Sequence, residues 1–202
     1  MITRGFGSRH ARSDSKRLPP GQHLTGDFPV LSAGPTPHSR LDAWTFTLEA
    51  EDGTRIASWS WDDFRALGPS ELTVDIHCVT RWSKFDTVWR GITIDRIFAA
   101  AGLEKSHPAF LMAFCDGGYT ANVPAEQLLE GKALVAWDYD GEPLEPVHGG
   151  PARLLVPQLY FWKSAKWVRG LRFMAENRPG FWERNGYHLD ADPWREQRYD
   201  SD

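Results

Sequence analysis

The clearest helical period in the chain is short and stands alone. Thr93 offers a cap before Ile94, Ile97, Phe98 and Ala101, whose three-and-four spacing lines one face, and Gly102 stops the turn. Around it the apolar residues alternate. Trp44, Phe46 and Leu48 alternate with Thr45, Thr47 and Glu49, and Asp52-Gly53 precedes a second strand through Ile56 and Trp59, a hairpin pattern. Elements mixed in this way, without sustained strand-helix alternation, argue against a doubly wound sheet and predict an α+β fold.

Further elements follow the same punctuation. Ser60 caps a short helix through Trp61, Phe64 and Leu67, ended by Gly68-Pro69. Strands are expected at Leu72 to Cys78, Ala109 to Cys115, Tyr119 to Val123, Ala133 to Trp137, Arg153 to Val156 and Val168 to Phe173. Pro124 opens a short helix through Leu128 and Leu129, and Asp140-Gly141 and His148-Gly149-Gly150 are turns. Residues 1–26, rich in Arg, Ser, Gly and Pro, predict an extended or partly disordered arm. The prolines between Phe28 and Pro37 enforce an extended strap. From Asn177 onward the chain is expected to wrap the surface, so residues 27–202 are assigned to a single domain, a size one core can support.

A net charge of −4 with mixed signs gives no bulk case for nucleic-acid binding. No stretch has the length of a membrane span and the start carries no secretory pattern, so a cytoplasmic protein is expected. Two cysteines, Cys78 and Cys115, make no disulfide framework and are read as reduced thiols, and most of the ten tryptophans are expected in core and groove walls.

Cys78 ends the alternating run Val74-Asp75-Ile76-His77 and enters the polar, aromatic Val79-Thr80-Arg81-Trp82-Ser83. A thiolate at a strand end suits a metal, because the strand fixes the backbone while the loop leaves the sulfur reachable; a small buried hydrophobe is the plainer alternative. Zinc has His77, Cys78, His107, Cys115 and His148 to draw on, but adjacent strand residues point to opposite faces, so His77 and Cys78 do not easily share one ion.

Together with Gly149-Gly150-Pro151-Ala152-Arg153 and Phe161-Trp162-Lys163-Ser164-Ala165-Lys166-Trp167, the Cys78 run resembles the sulfite oxidase family of molybdopterin enzymes from about Asp27 to Glu176. Trp82-Ser83 is nearer the bacterial methionine-sulfoxide-reductase catalytic subunit than sulfite oxidase proper. The resemblance implies a molybdopterin cofactor carrying molybdenum, with tungsten not excluded, bound through Cys78. It places Arg153, Ser164, Ala165, Lys166 and His148 on the cofactor, with Cys115 and Asp116 where the reductase has a contacting threonine. Ser32 and Ala33 fall where sulfite oxidases have a cofactor-contacting run, so only backbone contacts carry over. Arg81, Trp82 and Tyr160 are the candidate substrate pocket.

Taken singly, Arg153 reads as a strand-edge ion pair and Lys163 and Lys166 as a solvated helix face, and Cys115 is equally an inert core thiol. The implied activity is oxygen-atom transfer at a small-molecule heteroatom of sulfoxide or sulfite type, with electrons exchanged through a separate donor or acceptor. A noncatalytic carrier or partner-binding domain retaining the fold is the competing assignment.

Overall fold

The computed structural model describes residues 16–104 and 107–202, so most of the expected N-terminal arm lies outside the described residues. The fold is α+β, built on two mixed sheets with few helices.

The first sheet is organised by a 12-residue strand that the sequence pattern conceals. Strands β1 (His23–Leu24), β4 (Ser70–His77) and β8 (Leu134–Tyr139) all pair with β5 (Trp82–Thr93), and β9 (Glu142–Pro143) and β10 (Arg153–Leu155) extend from β8. Alternation fails in β5 because the β4–β5 register shifts between Val74 and Ile76, and Asp86 sits at φ 55°. Arg17 covers this bulge with ion pairs to Asp75 and Asp86. That cation of the arm is therefore spent on the sheet, and β1 turns residues 23–24 into an edge strand.

The second sheet runs β3 (Arg55–Ser60), β2 (Thr45–Glu49), β11 (Val168–Met174), β6 (Phe110–Cys115) and β7 (Thr120–Pro124). The expected hairpins β2–β3 and β6–β7 both form, while β2 and β11 join in parallel across the chain. Gly170 permits that join, since a Cβ there would meet the Thr47 carbonyl and the Phe114 ring.

The two helices expected at Ser60 and Thr93 form and are capped as expected. Ser60 Oγ accepts from the Asp63 N–H at the start of α1 (Trp61–Ala66), and Thr93 Oγ1 accepts from the Arg96 N–H at the start of α2 (Ile94–Ala100). α2 buries Ile94, Ile97 and Phe98 in the main core with Trp44, Phe46, Phe64 and Leu171. After Pro124 only one 3₁₀ turn forms, Ala125–Gln127. A smaller cluster holds Ile76, Cys78, Trp82, Trp89 and Phe161. Among the described residues no helix is long and apolar enough to cross a membrane.

Candidate active site

A cavity of about 560 Å³ opens where the β4–β5 turn, the strap, the 146–167 segment and the C-terminal segment meet. Cys78 follows β4 directly. Its N–H donates to Trp82 O at 2.8 Å, Arg81 N–H donates back to Cys78 O at 3.0 Å, and Arg81 takes φ 75°. Gln22 Nε2 also donates to Cys78 O at 3.1 Å, so β1 helps to hold the turn. Cys78 is only 6% exposed yet lines the cavity. Burial pushes its thiol pKa up, opposed by the Thr80 hydroxyl, which donates to Sγ at 3.1 Å.

The cations come from the opposite wall. His148 ends a 3₁₀ turn, Pro146–His148, and Gly149 follows at φ 114°; a Cβ on Gly149 would crowd Arg153 and Lys166 at 3.1 Å. This tight turn delivers Arg153, 1% exposed, with Nη1 and Nη2 donating to His148 O and Ser164 O, both at 2.6 Å. Its guanidinium lies 4.1 Å from the Phe161 ring centroid, and Nε has no partner among the described residues. Burial lowers its pKa to about 9, leaving it charged at neutral pH.

Ser164, Ala165 and Lys166 lie alongside β10 and line the cavity. Leu154 N–H donates to Ala165 O, and Val156 N–H to Ser164 Oγ, both at 2.9 Å. Lys166 Nζ donates to Leu31 O at 2.7 Å and Val147 O at 2.6 Å. Burial first and Arg153 second lower its pKa to about 8; His148 is lowered by burial and by both cations. No helix forms at residues 163–166, and Lys163 is fully buried, so the solvated helix face is corrected for both lysines. Arg153 is likewise no strand-edge ion pair, since its Nη donors end on carbonyls.

Ser32 and Ala33 line the cavity from the strap, which Phe28 anchors by stacking on His148 with centroids 4.0 Å apart. Asp116 also lines it, accepting from Ser39 Oγ at 2.8 Å, whereas Cys115 lies behind it at the end of β6, its thiol pKa pushed up by burial. Trp82 contributes a cavity wall and a buried indole N–H without a partner among the described residues. Arg81 and Tyr160 do not join the lining. Arg81 turns toward Gly21 beside Glu196, and the Tyr160 hydroxyl accepts from Arg198 while its ring stacks on Trp162.

The sequence reading missed Thr80 and a wall of aromatic rings, Trp162, Phe181, Trp182 and Tyr187. Phe181-Trp182 within an otherwise polar tail was the available signal. His77 is buried on Ser83, Nδ1 to Oγ 2.8 Å, with burial lowering its pKa to about 4. The zinc-candidate side chains do not gather: among the described residues no three His, Cys, Asp or Glu converge as a metal site.

Residues 33–182 match the family described as oxidoreductase molybdopterin binding domain. The chain belongs to this family. Within it, the chain is 42% identical over 196 residues to the uncharacterized oxidoreductase YuiH of Bacillus subtilis, covering 96% of this chain and 98% of that protein. It is 25% identical to a putative protein-methionine-sulfoxide reductase subunit, YedZ1, of Azospira oryzae, over 84% of this chain and 64% of that one. Human mitochondrial sulfite oxidase is 24% identical over 76% of this chain and 33% of its own. The chain thus spans nearly all of the first relative and less than two thirds of the other two. The SoxCD sulfane dehydrogenase from Paracoccus pantotrophus shares the fold, with a TM-score of 0.61 at 17% identity over 75% of this chain and 42% of that chain. This member of the family is therefore a molybdopterin-binding oxidoreductase of sulfite oxidase type.

Proposed function

We propose that the protein transfers an oxygen atom to or from the heteroatom of a small neutral substrate of sulfoxide type, using a molybdopterin whose metal is bound by Cys78. The observation that carries this reading is Arg153. A guanidinium buried in a cavity wall, with its Nη donors on carbonyls and its Nε without a partner among the described residues, suits a large anionic, planar, hydrogen-bonding group.

The residues present fit that cofactor. Arg153 and Lys166 supply positive charge, the strap at Ser32 and Ala33 lines the same cavity, and His148 and Asp116 add hydrogen-bonding capacity, while Ser164 and Ala165, their backbone groups already paired within the protein, shape its wall. When bound, the cofactor supplies the two-electron redox chemistry, and molybdenum is the family expectation with tungsten a variant to be measured. Cys78 must lose its proton to ligate, which the Thr80 hydroxyl assists against the cost of burial. Lys166 keeps its charge below about pH 8 to hold a phosphate.

A neutral substrate is favoured over sulfite because Arg81 faces away from the cavity while Trp82, Trp162, Trp182 and Tyr187 line it. These rings exclude water and orient an apolar body. Electrons are exchanged with a separate protein or small acceptor.

Molybdenum, tungsten, zinc and released oxidised pterin are to be measured on wild type and Cys78→Ser from a molybdopterin-competent host. Near-stoichiometric metal and pterin in wild type, with metal lost from the variant, is the expected result. Their absence from wild type made in that host would instead favour the noncatalytic carrier. A paired screen of neutral sulfoxides and sulfite then decides the substrate class.

A further inference from the structure

The fold does not leave the Cys78 sulfur bare. Thr80 lies two residues on, in the turn fastened by Cys78 N–H to Trp82 O, Arg81 N–H to Cys78 O and Gln22 Nε2 to Cys78 O. That backbone, with the restricted χ1 of a β-branched residue, holds the hydroxyl on Sγ at 3.1 Å. The amides of Val79 and Thr80 act on the sulfur in the same sense, favouring its charged form. Thr80 also lines the cavity with Cys78, at the place where a bound metal would meet the sulfur.

We propose that Thr80 is a positioning residue that sets the reduction potential of the metal through its hydrogen bond to the Cys78 sulfur. The inference rests on the reading of Cys78 as the metal ligand. A hydrogen bond to a thiolate withdraws electron density from it and weakens its donation to the metal. The electron-richer, reduced metal gains most from that withdrawal, so the bond raises the potential. The hydroxyl also fixes the direction of the sulfur lone pairs, as groups around a metal ligand commonly do.

The test uses loaded protein from a molybdopterin-competent host, comparing wild type with Thr80→Ser, Thr80→Val and Thr80→Ala. Metal and pterin content is measured first, then the midpoint potential by titration of the Mo(V) paramagnetic signal. Thr80→Ser keeps a donor and is expected at the wild-type potential. Thr80→Val and Thr80→Ala are expected to keep their metal but to titrate lower, with the oxidised-to-reduced ratio at a fixed ambient potential raised about fivefold, the worth of one hydrogen bond.

Unchanged potentials in both non-donor variants overturn the proposal while leaving the ligation reading intact. So does loss of metal from Val and Ala but not Ser, which makes the hydroxyl an assembly device. A Cys78→Ser protein that keeps both metal and potential removes the ligation reading itself, and is told apart because it does not depend on Thr80.

Discussion

Lys163 Nζ lies 2.6 Å from Glu183 Oε1, and both side chains are shut off from solvent, at 0% and 2% exposure. The same Oε1 accepts from Trp162 Nε1 at 2.7 Å, and Nζ also donates to Asn122 Oδ1 and Leu189 O. The pair thus ties strand β7, the cofactor-side segment and the C-terminal segment together behind the aromatic wall. Burial lowers the Lys163 pKa, and Glu183 opposes that shift.

Removing one partner leaves the other charge buried without its counter-charge. Glu183→Ala is expected to cost about 3–5 kcal/mol, and the double variant Lys163→Met/Glu183→Leu to recover most of it, because apolar packing replaces the pair without desolvating a charge. Urea denaturation of the three proteins checks this; equal stability of the single and double variants would refute it.

Arg153→Lys keeps a charge but loses the planar fork that reaches His148 O and Ser164 O together. Pterin retained after purification is expected to fall by about tenfold or more, with the circular dichroism spectrum unchanged. Full pterin retention would mean that charge alone is what the site requires.

Lys166 has its pKa lowered to about 8 in the folded protein, against an ordinary value of 10.5. Between these values the unfolded chain binds more protons, so the cofactor-free protein gains stability as pH rises through that window. Anion retention moves the other way. Cofactor release is expected to rise as pH passes about 8, and Lys166→Arg is expected to abolish the step; fluorescence of released pterin against pH measures both.

His77 titrates near 4 rather than 6.5, through burial. The unfolded chain therefore binds more protons between those values, and stability is lost as pH falls from about 6.5 toward 4, by about 3 kcal/mol at most. His77→Gln is expected to flatten this limb in denaturation midpoints taken across that range. An unchanged acid slope would place the loss in other groups.

Much of the fold follows from local patterns. The caps at Ser60 and Thr93, the hairpins around Asp52-Gly53 and Asp116-Gly118, and the strands before and after the Gly149-Gly150 turn are set by residues close in sequence. Strand β5 was assigned no element from the sequence, because a bulge at Asp75 and Asp86 breaks its alternation and Lys84, Asp86 and Arg90 interrupt the apolar positions. Of the site, Cys78, Arg153 and the Ser164-Ala165-Lys166 run stood out as a combination. Their functional alternatives could not be separated from plain structural ones, because burial and partners are long-range properties.

The sequence by itself determined most of the local elements and the mixed α+β order, since periodicity, capping and turn chemistry act over a few residues, while the segments expected on an anionic cofactor came from the family resemblance. Only the tertiary structure decided which side chains share the cavity. Arg81, at positive φ in the turn before β5, faces Gly21, whereas Trp82, the first residue of β5, lines the cavity, because the turn redirects the chain between them. Lys163 is buried on Glu183 while Lys166, three residues on, reaches the strap. Phe28, Cys78, Arg153 and Trp182 come from distant segments, and they meet because the two sheets and the C-terminal segment bury their apolar faces together.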